Sequence, residues 1–178
     1  MLNNGERMAA YRFEGYWKDV GTLESLWDAN MDMLSPESGL DLLDETWPIY
    51  ARSVSAPPAF LGGESVVTHS AINRGDDILG AVENSVLGPN VTVGKGAKVS
   101  YSVLLPGAKV AEGATVEYAI LGENCVIGAN SHIGGAPGSA DYDTWGLTVL
   151  APNSEIAADQ TVRPGIMLDR SGKEVSKK

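Results

Sequence analysis

A 17-residue period constrains this chain more than any other feature of its sequence. Residues 85–101 read SVLGPNVTVGKGAKVSY, 102–118 read SVLLPGAKVAEGATVEY and 119–135 read AILGENCVIGANSHIGG, and the copies align without a gap. Within each copy a small residue stands two positions before an aliphatic one: Ser85/Leu87, Val91/Val93 and Ala97/Val99 in the first, Ser102/Leu104, Ala108/Val110 and Ala114/Val116 in the second, Ala119/Leu121, Cys125/Ile127 and Ser131/Ile133 in the third. Residues two apart share one face of a strand, so each unit predicts a very short strand with two inward positions. Gly, Pro or Asn at 88–90, 94–96 and 105–107 turns the chain between units. Each copy then makes one triangular coil, and stacking coils places Leu87 over Leu104 over Leu121 and Val93 over Val110 over Ile127.

The pattern resembles the hexapeptide repeat of left-handed parallel β-helices; the hand is implied by that resemblance, since ordinary crossovers are right-handed. It extends to Ile72, Ile78 and Val82 before the repeats and to Leu150, Ile156, Val162 and Leu168 after them, giving about five coils. The expected class is all-β, a β-helix over residues 61–168. Between Ile133 and Leu150 the stretch GGAPGSADYDTWGLTV is dense in Gly, Pro, Ser and Asp and predicts an inserted loop, with Trp145 folding back onto the solenoid. Residues 169–178 have the composition of a disordered tail.

Upstream the character changes. Residues 1–34 offer a strand over Ala10–Phe13, the turn-prone GYWKDVGT, and a helix from about Thr22, with Thr22 as N-cap and Ser25 in the first turn. Leu23, Leu26, Trp27, Asn30, Met31 and Leu34 recur at three- and four-residue steps, an apolar stripe that needs a surface to pack against. Residues 35–60 carry prolines at 36, 48, 57 and 58 and read as a linker draped along the β-helix.

The chain has 178 residues, with 13 Lys+Arg against 23 Asp+Glu and a formal net charge of −10, so it offers no basic stripe for a nucleic-acid backbone. No window reaches the roughly 18 apolar residues of a membrane span, and the N-terminus lacks the basic-then-apolar order of a signal peptide. A cytoplasmic location is the expectation. The single cysteine, Cys125, falls in the inward small-residue column and reads as a buried inert thiol. His132 falls at an outward position equivalent to Lys98 and Thr115, His69 reads as exposed, and Asp76-Asp77 reads as a solvated turn.

GYWKDVGT followed by LESLWDANMDML, together with WPIYARSVSAPPAFLGG, NRGDDILGAVENSVLGPNV and the repeats, resembles the C-terminal portion of the bacterial glucose-1-phosphate adenylyltransferases, the ADP-glucose pyrophosphorylases. The resemblance implies a nucleotidyltransferase family that makes ADP-glucose and pyrophosphate from ATP and glucose 1-phosphate with Mg²⁺, in glycogen biosynthesis. It implies that residues 1–34 are the end of the catalytic domain, with Asp19 at the metal and sugar-phosphate end of the site and Trp17 near the sugar. The family's nucleotide-binding domain has no counterpart here: no Gly-x-Gly phosphate cradle occurs in residues 1–60. The expectation is a chain inactive alone, without a complete catalytic site, that serves oligomerisation and regulation. Its expected partners are the enzyme's own catalytic domain and further copies of itself, homotetramers being implied by the resemblance. Trp17 and Trp27 are then packing residues without their partner domain, and the stripe from Leu23 to Leu34 favours self-association. An anionic effector would have to draw on Arg74, Lys95, Lys98, Arg163 and Arg170. The alternative is a free-standing hexapeptide-repeat acyltransferase with a histidine base and a cofactor site between neighbouring β-helices; the YWKDVGT segment argues against it.

Overall fold

The computed structural model describes residues 4–5, 7–42, 44–50, 54–136 and 146–175. Residues 60–168 form a parallel β-solenoid of three sheets. The first sheet stacks Phe60–Leu61, Asp77–Ile78, Thr92–Val93, Lys109–Val110, Val126–Ile127 and Glu155–Ile156. The second stacks Val66–Thr68, Ala81–Glu83, Lys98–Ser100, Thr115–Glu117, His132–Gly134 and Thr161–Val162, and the third stacks Val86–Leu87, Val103–Leu104, Ala119–Leu121, Thr148–Leu150 and Met167–Leu168.

The registers follow from the repeat. Val93 pairs Val110, Val110 pairs Ile127, and Leu87, Leu104, Leu121, Leu150 and Leu168 pair in succession, so each column is one continuous aliphatic stack. Ile78, Leu104, Leu121, Ile127 and Ile133 are fully buried in that core. The solenoid has about six levels. The additional one lies at the N-terminal end, where Leu61, Val67 and Ile72 continue the six-, five-residue step down to Ile78.

Corners are held by residues that tolerate a left-handed backbone. At the corner before the first sheet stand Asn90 (φ 62°), Gly107 (φ 75°), Asn124 (φ 55°) and Asn153 (φ 61°). A Cβ on Gly107 would lie 2.4 Å from Asn124 Oδ1, so glycine is needed there for space as well as for conformation. Small residues in the inward column also do chemistry: the Ser85 hydroxyl accepts from Ser102 N and the Ser102 hydroxyl from Ala119 N, each at 3.1 Å, which satisfies amides the turns leave over.

Two expectations change. Residues 10–13 form no strand, because no sheet edge pairs with them. Residues 169–175 are not a loose tail: Asp169 N donates to Lys173 O at 2.9 Å, Val175 N donates to Met167 O at 2.8 Å, and Glu174 bridges Leu168 in antiparallel sense. That turn covers the last edge of the third sheet. Trp145 and most of the inserted loop, residues 137–145, lie outside the described residues.

Candidate functional site

The site is built on the outer face of the third sheet. In the other two sheets the outward residue of each strand is mostly polar, as in Asp77, Thr92 and Lys109 or in Lys98, Thr115 and His132. In the third it is Val86, Val103, Ile120, Val149 and Met167, so its strands are apolar on both faces. Helix α1, Leu23–Asp32, packs against Val103, Ile120 and Val149 of this stripe. Its N-terminus is fixed by a capping box in which Ser25 N donates to Thr22 Oγ1 at 3.1 Å and Thr22 N donates to Ser25 Oγ at 2.9 Å.

Trp27 is 6% exposed and packs with Val103, Ile120 and Leu147. Its ring stacks near Tyr118, centroids 6.2 Å apart, and Tyr118 stacks on Tyr101 at 4.7 Å and 4°. The expectation that Trp27 and the Leu23–Leu34 stripe lack a packing partner is corrected for Leu26, Trp27 and Met31, to which the chain's own solenoid supplies one, while Leu23 stays exposed. Tyr101 and Tyr118 belong to a corner column with His69 and Asn84, all four in the left-handed region at φ 45–47°. His69 meets the far end of the helix, its Nε2 2.8 Å from Leu34 O and its Nδ1 2.6 Å from Asn84 Oδ1. Trp27 on α1 and Leu34, two residues past its end, thus meet the corner column at Tyr101 and His69, two strand spacings of about 4.8 Å apart.

The YWKDVGT segment enters this platform with alternating burial. Tyr16 and Lys18 are half-buried, Trp17 and Asp19 exposed, Trp17 at 76%. Lys18 Nζ pairs with both Asp28 and Asp32, the latter at 2.6 Å, and Tyr16 donates its hydroxyl to Asp32 Oδ2 at 2.9 Å. Asp28 and Asp32 are one helical turn apart on α1 and so share a face. The Lys18 hydrogen bond holds the Asp32 carboxyl below its usual value, against partial burial and with help from Tyr16. Partial burial works against the Lys18 charge, but the hydrogen bonds to Asp28 and Asp32 outweigh it and raise its pKa.

Asp19 makes no hydrogen bond or ion pair among the described residues. The described residues also contain no group of three or more His, Cys, Asp or Glu that could hold a metal ion. Asp19 could supply one carboxylate to a Mg²⁺ whose other ligands would be waters, phosphates or further carboxylates, and no metal step is assigned to these residues alone.

The remaining candidates separate. His132 is exposed, in register with Thr115 and Lys98 as its spacing predicts, with Nε2 3.7 Å from a Glu117 oxygen. Cys125 is buried with Sγ 3.1 Å from Ala151 O, and burial pushes its thiol up. Asp76 is not a solvated turn residue: it is 1% exposed, in the inward small-residue column, and accepts from Val91 N at 2.9 Å and Asn73 N at 2.7 Å. Burial raises its pKa and those two amides oppose the rise. Lys95 and Lys98 border a groove of about 420 Å³ with Glu64 and Glu112, and Lys95 is 3.4 Å from Glu64, so the basic pair there is offset by acid.

The profile of the GlmU-like, C-terminal hexapeptide family matches residues 58–149. The chain belongs to the GlmU-like C-terminal hexapeptide family. A nucleotidyl transferase family profile matches residues 1–36, the segment that carries Trp17, Asp19 and α1 in front of the hexapeptide solenoid. Among curated relatives, the glucose-1-phosphate adenylyltransferase of Desulforamulus reducens is 43% identical over 153 residues, 86% of this hexapeptide-family chain and 38% of the relative. That of Clostridium botulinum strain Eklund 17B is 52% identical over 95 residues, 53% of this chain and 25% of the relative. That of Clostridioides difficile is 50% identical over 99 residues, 56% of this chain and 26% of the relative. The chain matches the C-terminal portion of these enzymes and spans between a quarter and two fifths of their length. No helix among the described residues is long and apolar enough to cross a membrane.

Proposed function

We propose that this chain is the assembly and regulatory region of a glucose-1-phosphate adenylyltransferase, which forms ADP-glucose and pyrophosphate from ATP and glucose 1-phosphate for glycogen synthesis. The observation that carries this reading is the succession, in one chain, of a nucleotidyl transferase match over residues 1–36 and a hexapeptide match over 58–149, with a relative of that name aligned over 153 residues. Trp17 and Asp19 contribute the sugar-phosphate end of a site whose remaining groups, including the other Mg²⁺ ligands, come from a nucleotidyltransferase domain. Nucleotidyl transfer depends mainly on positioning and charge neutralisation, and an exposed carboxylate beside an exposed indole on a rigid base suits the sugar side of such a site.

The solenoid's part is assembly. Its flat sheets and stiff columns suit contacts between copies, homotetramers included, and an anionic effector bound near the junction with the catalytic domain would act through α1. The test measures ADP-glucose formation from ATP, glucose 1-phosphate and Mg²⁺ by the chain alone and mixed with the nucleotidyltransferase domain of a relative. The expected result is no turnover alone and activity or altered regulation on mixing. Turnover by the chain alone, or indifference on mixing, overturns the reading.

A further inference from the structure

Lys18 stands between the two exposed residues of the motif, yet its own side chain turns the other way. Its ammonium lies between Asp28 and Asp32 on α1, and Tyr16, two residues before it, reaches the same Asp32 oxygen. No backbone amide from Tyr16 to Gly21 donates to a backbone carbonyl among the described residues, so side chains alone fasten this segment to the helix. The helix in turn is fastened to the solenoid by Trp27 and by the Leu34 contact to His69.

We propose that Lys18 is a positioning residue: by clasping Asp28 and Asp32 it fixes the orientation in which Trp17 and Asp19 are presented to a sugar phosphate. This rests on the assignment of Trp17 and Asp19 given above. The burial along the segment makes the mechanism specific: Tyr16 and Lys18 are pinned against α1, and Trp17 and Asp19 are left exposed beside them. Asp19 makes no hydrogen bond or ion pair among the described residues, so its direction is set by its neighbour. The clasp also places the solenoid two contacts away from the sugar-phosphate end of the site, so that a displacement of α1 on the third sheet reaches Asp19 through Lys18.

The test compares Lys18→Met and Lys18→Arg with the unaltered full chain. Nitrogen-15 relaxation is read at the Trp17 indole and at the amides of Trp17 and Asp19. In the unaltered chain the order parameters should be near about 0.85; in Lys18→Met they should fall below about 0.6, and in Lys18→Arg, which can still span both carboxylates, they should recover. A thermal melt of each variant separates loosening of the segment from loss of fold. In the mixture with a nucleotidyltransferase domain, kcat/KM for glucose 1-phosphate should fall on the order of 10-fold or more in Lys18→Met while KM for ATP stays put, a split that general destabilisation does not produce. Unchanged order parameters overturn the inference whatever the catalytic outcome, as does unchanged kinetics for glucose 1-phosphate with lowered order parameters. If the unaltered mixture makes no ADP-glucose, the functional assignment fails by itself and the order parameters alone decide whether Lys18 orients the segment.

Discussion

The indole N–H of Trp27 donates to the backbone carbonyl of Tyr101 at 2.8 Å, joining residues 74 positions apart in sequence. Tyr101 adopts a left-handed backbone, uncommon for a bulky residue and costing roughly 1 kcal/mol or more. The stacked rings of Tyr101, Tyr118 and Trp27 offset that cost, so the corner and the helix stabilise each other.

Truncating this anchor should be severe. Trp27→Ala empties a site lined by Val103, Ile120 and Leu147 and should cost about 3–5 kcal/mol, whereas Trp27→Phe should lose mainly the hydrogen bond, about 1 kcal/mol. Urea unfolding with unchanged m-values would check both. A loss below about 1 kcal/mol for the alanine variant would mean that α1 contributes little to the solenoid's stability.

The clasp has a definite pH dependence. Asp32 titrates in the folded protein below its value of 3.8 in the unfolded chain, so the stability it supplies is complete above that value and is lost as pH falls through the folded pKa. Lys18→Met should therefore cost about 1 kcal/mol at neutral pH, and the gap from the unaltered protein should close below about pH 4. Chemical denaturation at pH 7 and pH 3 reads the difference directly.

Asp76 has the opposite sign. Its folded pKa is raised above 3.8, so its contribution is fullest below 3.8 and diminishes as pH rises through the folded value. Asp76→Asn should gain stability relative to the parent as pH rises from about 4 to 7. Asp76→Ala leaves the amides of Asn73 and Val91 without an acceptor and should lose about 1–3 kcal/mol for each amide that water does not reach. Thermal melts of the three proteins across that pH range would show whether the lines cross.

The columns themselves set the remaining expectation. Leu104→Ala, inside the third sheet's inward stack, should cost about 3–5 kcal/mol, while Val126→Thr, on the exposed face of the first sheet, should stay within about 0.5 kcal/mol. Equal effects at the two positions would contradict the inward and outward assignment.

The inward architecture was legible because each column repeats one residue class at a fixed step, as at Leu87, Leu104 and Leu121, and because Thr22 and Ser25 announce the helix start. The helix's seat is not marked by the small-x-aliphatic pairs, because it lies on the residue between them. Val86, Val103, Ile120, Val149 and Met167 occupy that middle or flanking position, and their unbroken apolar character is the signal that marks the third sheet's outer face as covered. Asp76 was equally visible in principle, as a carboxylate in a column of Val91, Ala108 and Cys125. The Lys18 clasp is different in kind. Asp28 and Asp32 share a helix face by spacing, but the lysine that reaches them comes from a segment without regular structure, where no periodicity fixes direction. Trp17 and Asp19 are noticed only through family likeness, because nothing local distinguishes an exposed indole and carboxylate from ordinary surface.

Helix α1 and the turn that follows it touch the corner column at two heights, at Tyr101 and at His69, with Asn84 between them. Repetitive folds commonly lengthen or shorten by whole turns, because each turn meets only its neighbours. Here a rod of fixed length is pinned across that interval, so inserting or deleting a turn between residues 69 and 101 would pull one pin from its socket. The number of coils in this part of the protein is thereby held constant by a gauge that lies outside the repeat.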